Sequence, residues 1–580
     1  MNVSYSSYNS DINDVEISVK KVSENDGIVM YHFTFKAEEK IQPTPITLNF
    51  FVPAFGFYSQ WSPLRDFERS LLPNWGKYLP EIPSSIAFGM PLQCFIGQDG
   101  KNKVCVSVSD VKTPIIIRSG ICEAPGADYK VEFFSSKTGF ISEYSAYIRF
   151  DLRDVFYSKS IADAVKWLDE VNHLRPSYIP EAAALPLYSS WYNFHYDLND
   201  EVIVSECEKA YELGMRTIII DDGWQTEEGE GYLYCGAWRL CRRKIKDMRN
   251  FTERLHQIGM KVMLWYSVPF VGKKSEYWKK FEGKFLDDPE KDYNCLDVRF
   301  HDVREYLVNT YEKALKEWDL DGFKLDFIDE FRLTAFSDTS SDKRDFESLE
   351  DAVEELLSCV TKRLKAIKPD VLLEFRQAYI GPVIKANCNM MRVGDCAFDM
   401  IKNRMGIIDL RLTSGNVAVH SDMIIWNHED TNENVAKQLI AILFGVPQIS
   451  VRLNQTSEQH IRVLRFFLQL WMKYRDVILN GELTPYNPEC LYSLVEATKD
   501  DTSVTVCYSK NIVEIHSKNT VIVNGTGENY VILASKENID VSFTVTNCLG
   551  ETLETQQSNI HGTYCIELPQ SAVLIVVKNG

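Results

Sequence analysis

A lysine and an aspartate stand two residues apart in one short stretch of the sequence. In residues 321–327 (DGFKLDF), apolar side chains alternate with Gly322, Lys324 and Asp326, as expected for a strand whose two faces differ. Burying charged groups is costly unless they are paired or used in chemistry. The pair therefore indicates either a structural ion pair at a strand end or a nucleophilic carboxylate held beside a lysine.

Charged and aromatic side chains follow most of the other short apolar runs in the middle of the chain. Sugars offer hydroxyl groups to charged side chains and apolar C–H faces to tryptophan rings. Glycoside hydrolysis also needs two carboxyl groups that flank the scissile bond. The set therefore favours a carbohydrate substrate. Its members are Trp191, Asp221, Asp222, Trp265, Lys324, Asp326, Glu374, Arg376, Arg392, Asp395 and the segment 426–428.

A metal-dependent hydrolase is the weaker alternative. The chain has ten histidines, and His195, His301 and His428 show neither His-x-His nor His-Glu-x-x-His spacing. We therefore expect neither a metal nor a cofactor.

Eight apolar runs, separated mostly by amphipathic helices, organise the middle of the chain. Their number and spacing predict a (β/α)8 TIM barrel, a fold in which catalytic groups lie at the C-terminal ends of the strands. Each residue of the candidate set would then lie at one mouth. The runs are residues 185–188, 217–220, 261–265, 322–327, 371–375, 390–393, 417–419 and 446–451.

Alternating apolar and polar residues with frequent turn formers flank this barrel on both sides. Two tryptophans in residues 61–76 lie on a loop and either pack internally or overhang a sugar site. We predict an N-terminal β-sandwich over residues 1–158, a helical linker over 159–184, the catalytic barrel over 185–480 and a small C-terminal β-sandwich over 481–580.

The composition and charge of the chain limit the classes of ligand and the cellular location that we expect. The chain of 580 residues has a net charge of −19, which fits a neutral ligand and argues against nucleic acid. No uncharged apolar run is long enough to span a membrane, and the first residues lack the features of a secretory signal. Cysteines inside strand-like runs indicate a reducing compartment. We expect a cytoplasmic protein, and leave open a mature secreted or periplasmic form and a homo-oligomer.

Several motifs of the barrel resemble the α-galactosidases of glycoside hydrolase family 36, in clan D. The resemblance implies a TIM barrel between two β-sandwiches and a retaining reaction on α-galactosides. The motifs are IDDGW at 220–224, LWYSVP at 264–269, LD at 296–297 followed by VREY at 303–306, and DGFKLDF at 321–327.

The resemblance also implies roles for individual residues. Asp326 would be the nucleophile and Lys324 would hold the sugar beside it. Asp221 and Asp222 would bind the hydroxyls at C4 and C6, whereas the alternative for this pair is a hydrated loop or a helix cap. Trp191 and Trp265 would shape the pocket and stack on the ring; Arg392 completes the expected substrate contacts.

Two positions depart from the family pattern. Arg376 stands where the family has a cysteine near the C2 substituent, and it either contacts the sugar or forms a salt bridge with Glu374 on the same strand face. The turn after the sixth strand is also altered. We assign the acid/base role to Asp395 and regard Asp399 as the second choice, since it is better placed to begin a helix.

The sequence thus predicts a retaining, exo-acting α-galactosidase whose substrate is an α-galactoside oligosaccharide or glycan. Related chemistry on another α-sugar, such as N-acetylgalactosamine, glucose or a modified galactose, is the nearest alternative. A non-catalytic carbohydrate-binding relative is a further alternative. The retention of both Asp326 and Asp395 argues against that last reading.

Overall fold

The N-terminal region forms two facing antiparallel sheets. The computed structural model describes residues 3–12, 15–65, 67–73, 81–227, 231–337 and 343–579. One sheet has the strand order β1-β4-β10-β9-β6 and the other β2-β3-β11-β8-β7-β5. The strands are β1 (Ser4–Ser10), β2 (Val15–Asn25), β3 (Ile28–Ile41), β4 (Ile46–Pro53), β5 (Ser59–Trp61), β6 (Glu81–Ser84), β7 (Leu92–Ile96), β8 (Asn102–Val108), β9 (Ile115–Cys122), β10 (Gly126–Phe133) and β11 (Ile141–Asp151).

Side-chain alternation explains how these sheets pack. In β4, Ile46, Leu48, Phe50 and Val52 are buried while the residues between them are half-buried, so the strand presents one apolar face. These four side chains belong to a core built from both sheets. Trp61 is fully buried in β5 and so packs internally; the second tryptophan of the predicted loop, Trp75, lies outside the described residues.

Eight parallel strands form the central sheet, in the order β20-β19-β18-β17-β14-β13-β12-β21. Its edges are linked by parallel bridges from His420 to Val446 and from Ile424 to Ile449, so the sheet closes into the predicted barrel. The strands are β12 (Leu187–Ser189), β13 (Thr217–Ile220), β14 (Lys261–Ser267), β17 (Gly322–Asp326), β18 (Leu372–Arg376), β19 (Met390–Arg392), β20 (Ala418–His420) and β21 (Gln448–Ile449); β15 (Phe270–Gly272) and β16 (Tyr293–Cys295) form a separate hairpin.

Helices connect the barrel strands, and polar residues fix where several of them begin. The side chains of Ser348, Asp399 and Ser457 each accept a backbone N–H of the following turn. The helices are α1 (Tyr157–Val171), α2 (Trp191–Phe194), α3 (Asp200–Glu212), α4 (Met248–Ile258), α5 (Tyr277–Lys280), α6 (His301–Trp318), α7 (Leu349–Ile367), α8 (Pro382–Ala386), α9 (Met400–Thr413), α10 (Asn432–Ala441) and α11 (Glu458–Asn480).

The C-terminal region is one sheet in the order β22-β23-β24-β26-β29-β27-β25, with β28 paired to β27. Val504 and Val506 pack into the core shared with the barrel, whereas Cys507 and Ile522 belong to a second core enclosed by the sheet itself. The strands are β22 (Glu482–Tyr486), β23 (Leu494–Lys499), β24 (Thr502–Cys507), β25 (Ile512–Glu514), β26 (Asn519–Asn524), β27 (Tyr530–Thr546), β28 (Thr552–Glu567) and β29 (Val573–Lys578).

A buried carboxylate on α9 joins the barrel to both flanking regions. Oδ1 of Asp409 accepts from Trp61 Nε1 at 2.8 Å and from the Tyr492 hydroxyl at 2.5 Å. Oδ2 accepts from Arg69 Nη2 at 2.6 Å. Because a buried charge is tolerated when it is paired and hydrogen-bonded, the N-terminal sandwich and the C-terminal sheet together satisfy a group that belongs to the barrel.

No helix in the described part of the chain is both long enough and apolar enough to cross a membrane.

Candidate active site

Asp326 lies at the C-terminal end of β17 and is held by four donors. Oδ2 accepts from Trp265 Nε1 at 3.0 Å. Oδ1 accepts from Arg376 Nε at 2.6 Å, the Phe327 backbone N–H at 2.8 Å and the Tyr379 hydroxyl at 3.3 Å. The side chain is 8% exposed, so its orientation is fixed by these contacts.

The ionised form of Asp326 is favoured in this environment. Burial alone would raise the pKa of the carboxyl, but the neighbouring charges of Arg376 and Lys324 outweigh burial and hold the pKa below its usual value. A carboxylate must be ionised to act as a nucleophile. The site therefore supplies a fixed, charged carboxylate at the mouth of the barrel.

Lys324 pairs with a different aspartate from the one expected. Its Nζ donates to Oδ2 of Asp221 at 2.6 Å, and both side chains are buried. The charge of Asp221 raises the pKa of Lys324 against the effect of burial, so the ammonium stays charged. Lys324 thus forms an ion pair between the ends of β13 and β17, the two strands that flank β14, and acts on Asp326 through its charge.

Asp222 is buried beside Asp221, and each residue is 3% exposed. The interpretation of this pair as a hydrated loop is therefore wrong. Asp222 accepts from Gln225 Nε2 at 2.7 Å and from the Tyr196 hydroxyl at 3.1 Å. Burial raises the pKa of Asp222 to about 6. A side-chain carbon at Gly231 would come within 2.8 Å of both oxygens of Asp222, so the chain passes directly over this carboxylate.

The two tryptophans expected at the site differ in what they can do. Trp265 is 1% exposed, which leaves no face for stacking on a sugar; its contact with the site is the hydrogen bond to Asp326. Trp191 begins α2 and is partly exposed. Its ring lies edge-on to those of His195 and Tyr196, close to the hydroxyl that binds Asp222.

Arg376 and Glu374 have separate partners, so the salt bridge considered between them does not form. Arg376 bonds Asp326, donates from Nη1 to the Gln377 carbonyl at 2.7 Å and has Nη2 3.9 Å from Asp329. Glu374 accepts from Gln448 Nε2 at 2.6 Å and lies 3.7 Å from Arg392 Nε. Burial raises the pKa of Glu374 to about 7.

Arg392 is fully buried and joins two carboxylates at the end of β19. Its Nη2 donates to Oδ1 of Asp395 at 2.8 Å and its Nη1 donates to Asp422. Asp422 also accepts from the Cys396 N–H at 2.7 Å and the Tyr192 hydroxyl at 2.8 Å. The expected sugar contact of Arg392 is replaced by these internal pairings, which fix the turn that carries Asp395.

The two candidates for the acid/base occupy different settings. Asp395 is 62% exposed, and the charge of Arg392 holds its pKa well below the usual range. Asp399 begins α9 and accepts the Lys402 N–H at 2.9 Å, which is the helix-entry role expected for it. Arg404, farther along α9, donates to the Leu491 carbonyl at 2.8 Å and therefore faces the C-terminal sheet.

Asp422 lies outside the candidate set predicted from the sequence. That set includes the apolar run at 417–419 but takes residues 426–428 as the end of the seventh strand, which is too late. β20 ends at His420, and Asp422 follows two residues later. A carboxylate immediately after a predicted barrel strand was the available signal. Tyr192 and Tyr379 carried no comparable signal, since partners of their hydroxyls come from distant parts of the chain.

Within the residues that the structure describes, no cluster of three or more histidine, cysteine, aspartate or glutamate side chains is arranged to hold a metal ion.

The chain matches known proteins over the barrel and in its fold. Residues 171–378 match the family model described as melibiase. The chain is 26% identical over 148 residues to alpha-galactosidase AgaA of Geobacillus stearothermophilus, covering 23% of this chain and 20% of that protein. It is 20% identical over 351 residues to alpha-galactosidase Mel36A of Lactobacillus acidophilus, covering 55% and 46%. The matched stretches thus span less than half of either relative.

A solved structure extends the likeness to nearly the whole fold. The crystal structure of the family 36 α-galactosidase AgaA from G. stearothermophilus in complex with raffinose superposes with a TM-score of 0.65 and 13% identity. The superposition covers 97% of this chain and 81% of that one. The resemblance to family 36 drawn from the motifs is confirmed, as is the barrel flanked by β-sheet regions.

Proposed function

We propose that the chain, given its confirmed resemblance to the family 36 α-galactosidases, is a glycoside hydrolase that removes terminal α-galactose with retention of configuration. The observation that carries the proposal is the state of Asp326. It is ionised, fixed by four donors and placed at the end of the fourth barrel strand. Such a carboxylate is suited to attack an anomeric carbon.

In the proposed reaction Asp326 attacks the anomeric carbon from the face opposite the departing group. The C–O bond to the leaving group breaks as Asp395 donates a proton to that oxygen, giving a β-linked glycosyl-enzyme. Asp395, now a carboxylate, removes a proton from water, which attacks the same carbon and releases Asp326. The product is α-galactose.

Asp395 must acquire a proton for the first step, although Arg392 holds its pKa low in the free protein. The side chain is largely exposed there. A bound glycoside removes water from this carboxyl, and loss of hydration favours its neutral form. We therefore assign the protonation of Asp395 to the substrate complex.

The substrate contacts proposed are the carboxylates of Asp221 and Asp222 and the partly exposed ring of Trp191. Lys324 orients Asp221 through their ion pair. The natural substrate proposed is a terminal α-galactoside of an oligosaccharide or glycan. The burial of Asp221 and Asp222 supports the proposal of exo-action.

A panel of aryl glycosides, with the first-formed anomer followed by proton NMR, tests the proposal. Turnover of the α-galactoside with α-galactose as the first product supports it. First formation of β-galactose contradicts retention. Preference for an N-acetylgalactosaminide or glucoside replaces the sugar assignment, and no turnover of any member contradicts the activity.

A further inference from the structure

The site needs an apolar surface that Trp265 does not provide. A hexopyranose binds through both its hydroxyls and its C–H face, and an aromatic ring is the usual partner for the latter. Trp265 is enclosed, with its ring 6.1 Å from Trp238 and 6.4 Å from Phe327, and its Nε1 is bonded to Asp326. Besides the partly exposed Trp191, a second ring on the side of Trp265 can therefore take this position.

Tyr232 lies near two carboxylates of the site, Asp222 and Asp326, whose charges act on it. It belongs to a short 3₁₀ turn, Gly231–Tyr234, in the connection between β13 and α4. Gly231 lies against Asp222 so closely that a side-chain carbon would be 2.8 Å from both carboxylate oxygens. The next residue along the chain, Tyr232, is therefore held close to the site.

The ring of Tyr232 is oriented by neighbouring aromatic side chains. It lies nearly parallel to Trp265, with ring centres 6.5 Å apart and an angle of 25°. It meets Phe327, Phe270 and Tyr293 at 5.4, 5.7 and 5.4 Å. Unlike Trp265, Tyr232 is only partly buried, so part of its surface remains open.

The hydroxyl of Tyr232 lies within the electrostatic field of both carboxylates. Burial and the charges of Asp222 and Asp326 raise its pKa, so the phenol is neutral. The described residues provide no hydrogen-bond partner for it. A partly exposed ring with an uncommitted hydroxyl, close enough to two carboxylates to feel their charge, matches a sugar's mixture of apolar and polar surface.

We propose that Tyr232 is the aromatic platform for the sugar that reacts with Asp326, and that Trp265 positions the nucleophile instead. The inference rests on the proposed function and adds a substrate-binding residue to it. The turn at Gly231 and the aromatic side chains around Tyr232 fix the platform before substrate arrives.

The test compares Tyr232→Ala, Tyr232→Leu and Tyr232→Phe with Tyr234→Ala. Tyr234 lies in the same turn, but its hydroxyl accepts from Lys274 at 3.4 Å and its ring faces that ammonium. Turnover of an aryl α-galactoside and inhibition by galactose are measured for each. We expect KM and the inhibition constant to rise about tenfold for the alanine and leucine variants, and to change less than about threefold for Tyr232→Phe and Tyr234→Ala.

Trp265→Phe supplies the complementary readout. It keeps a ring but removes the donor to Asp326, so kcat should fall while KM stays within about twofold. Wild-type KM and inhibition constants in Tyr232→Ala, or equal losses in Tyr232→Phe and Tyr232→Ala, would overturn the platform. Melting temperatures measured in parallel identify variants whose losses come from folding. Absence of wild-type turnover contradicts the proposed function itself and is seen before any variant is compared.

Discussion

Arg376 donates through Nε to Oδ1 of Asp326, with 2.6 Å between the two atoms. The guanidinium also lies over the rings of Phe327 and Tyr379, at 5.2 and 5.4 Å from their centres. Its position is therefore set by the packing around the carboxylate. This contact makes an arginine, in addition to Lys324, responsible for keeping the proposed nucleophile charged.

Replacing Arg376 should shift the acidic limb of the pH–activity profile to higher pH. The guanidinium stabilises the ionised form of Asp326, so its removal raises the pKa of the carboxyl, and activity is lost at a higher pH on the acid side. In Arg376→Met we expect the acidic limb of kcat/KM to rise by about 1–3 pH units. Arg332→Met is the control, since Arg332 is 67% exposed and lies 3.4 Å from Glu330. An unchanged limb in Arg376→Met contradicts the assignment.

Azide should distinguish the roles of Asp326 and Asp395. Asp326→Ala lacks the nucleophile, so azide attacks an activated α-galactoside directly and gives the β-azide. Asp395→Ala still forms the glycosyl-enzyme from an activated aryl galactoside, and azide attacks this intermediate to give the α-azide. Both variants should lose at least about 100-fold in kcat without azide. Proton NMR of the glycosyl azides is the measurement.

Asp399→Ala is the comparison for Asp395→Ala. Loss of a helix cap costs about 1 kcal/mol of stability, and the chemical step should continue without azide. Formation of the α-azide by the Asp399 variant, with normal turnover by the Asp395 variant, would reverse the two assignments.

Substrate binding should weaken as the pH falls through about 6. Burial raises the pKa of Asp222 to about 6, and below that value the carboxyl gains a proton and accepts hydrogen bonds from sugar hydroxyls less well. KM should therefore rise as the pH is lowered through about 6. Asp222→Asn should remove this pH dependence of KM while raising KM at every pH. Glu374→Gln is the matched control, because the pKa of Glu374 is also raised, to about 7. If Glu374→Gln removes the pH dependence of KM and Asp222→Asn does not, the titrating group is Glu374.

Asp321 should stabilise the barrel at neutral pH. It accepts from His256 Nε2 at 2.7 Å, the Val262 N–H at 2.9 Å and Lys368 Nζ at 3.1 Å. Burial opposes ionisation, but the bond to His256 and the charge of Lys368 lower the pKa of Asp321. The stabilisation is therefore complete above the unfolded pKa of about 4 and is lost as the pH falls toward the lower folded pKa.

The variant Asp321→Asn should lose about 2–3 kcal/mol at pH 7, with a smaller loss below pH 4. Calorimetric melting over this pH range is the measurement. Asp319→Asn, at a residue 41% exposed, should change stability by less than about 0.5 kcal/mol. Equal melting temperatures for Asp321→Asn and the wild type at pH 7 contradict the expectation.

The barrel was predictable because each strand leaves a local pattern in the sequence. The runs around Leu187, Ile219 and Phe323 are short, apolar and separated by amphipathic helices, so their number indicates the fold. Asp326 and Lys324 are predictable for the same reason, since both lie on the strand itself. Such features depend on neighbours within a few residues.

The partners of those residues were not predictable, because they depend on side-chain packing across strands. Arg376 and Glu374 share a strand face, yet one pairs with Asp326 and the other with Gln448. Trp265 similarly has as ring neighbours Tyr232 and Trp238, which come from another part of the chain. Sequence periodicity does not indicate which side chains pair, because the pairing depends on how the eight strand ends converge.

The hydrogen bonds at Asp409 make the barrel depend on both flanking regions, so the barrel is not an independent module. A barrel separated from the N-terminal sandwich loses Trp61 and Arg69, and one separated from the C-terminal sheet loses Tyr492. Either cut leaves the carboxylate buried with fewer partners, on the same helix that begins just after Asp395. Chimaeras between relatives must therefore exchange this junction as a set, because the three regions share one buried carboxylate.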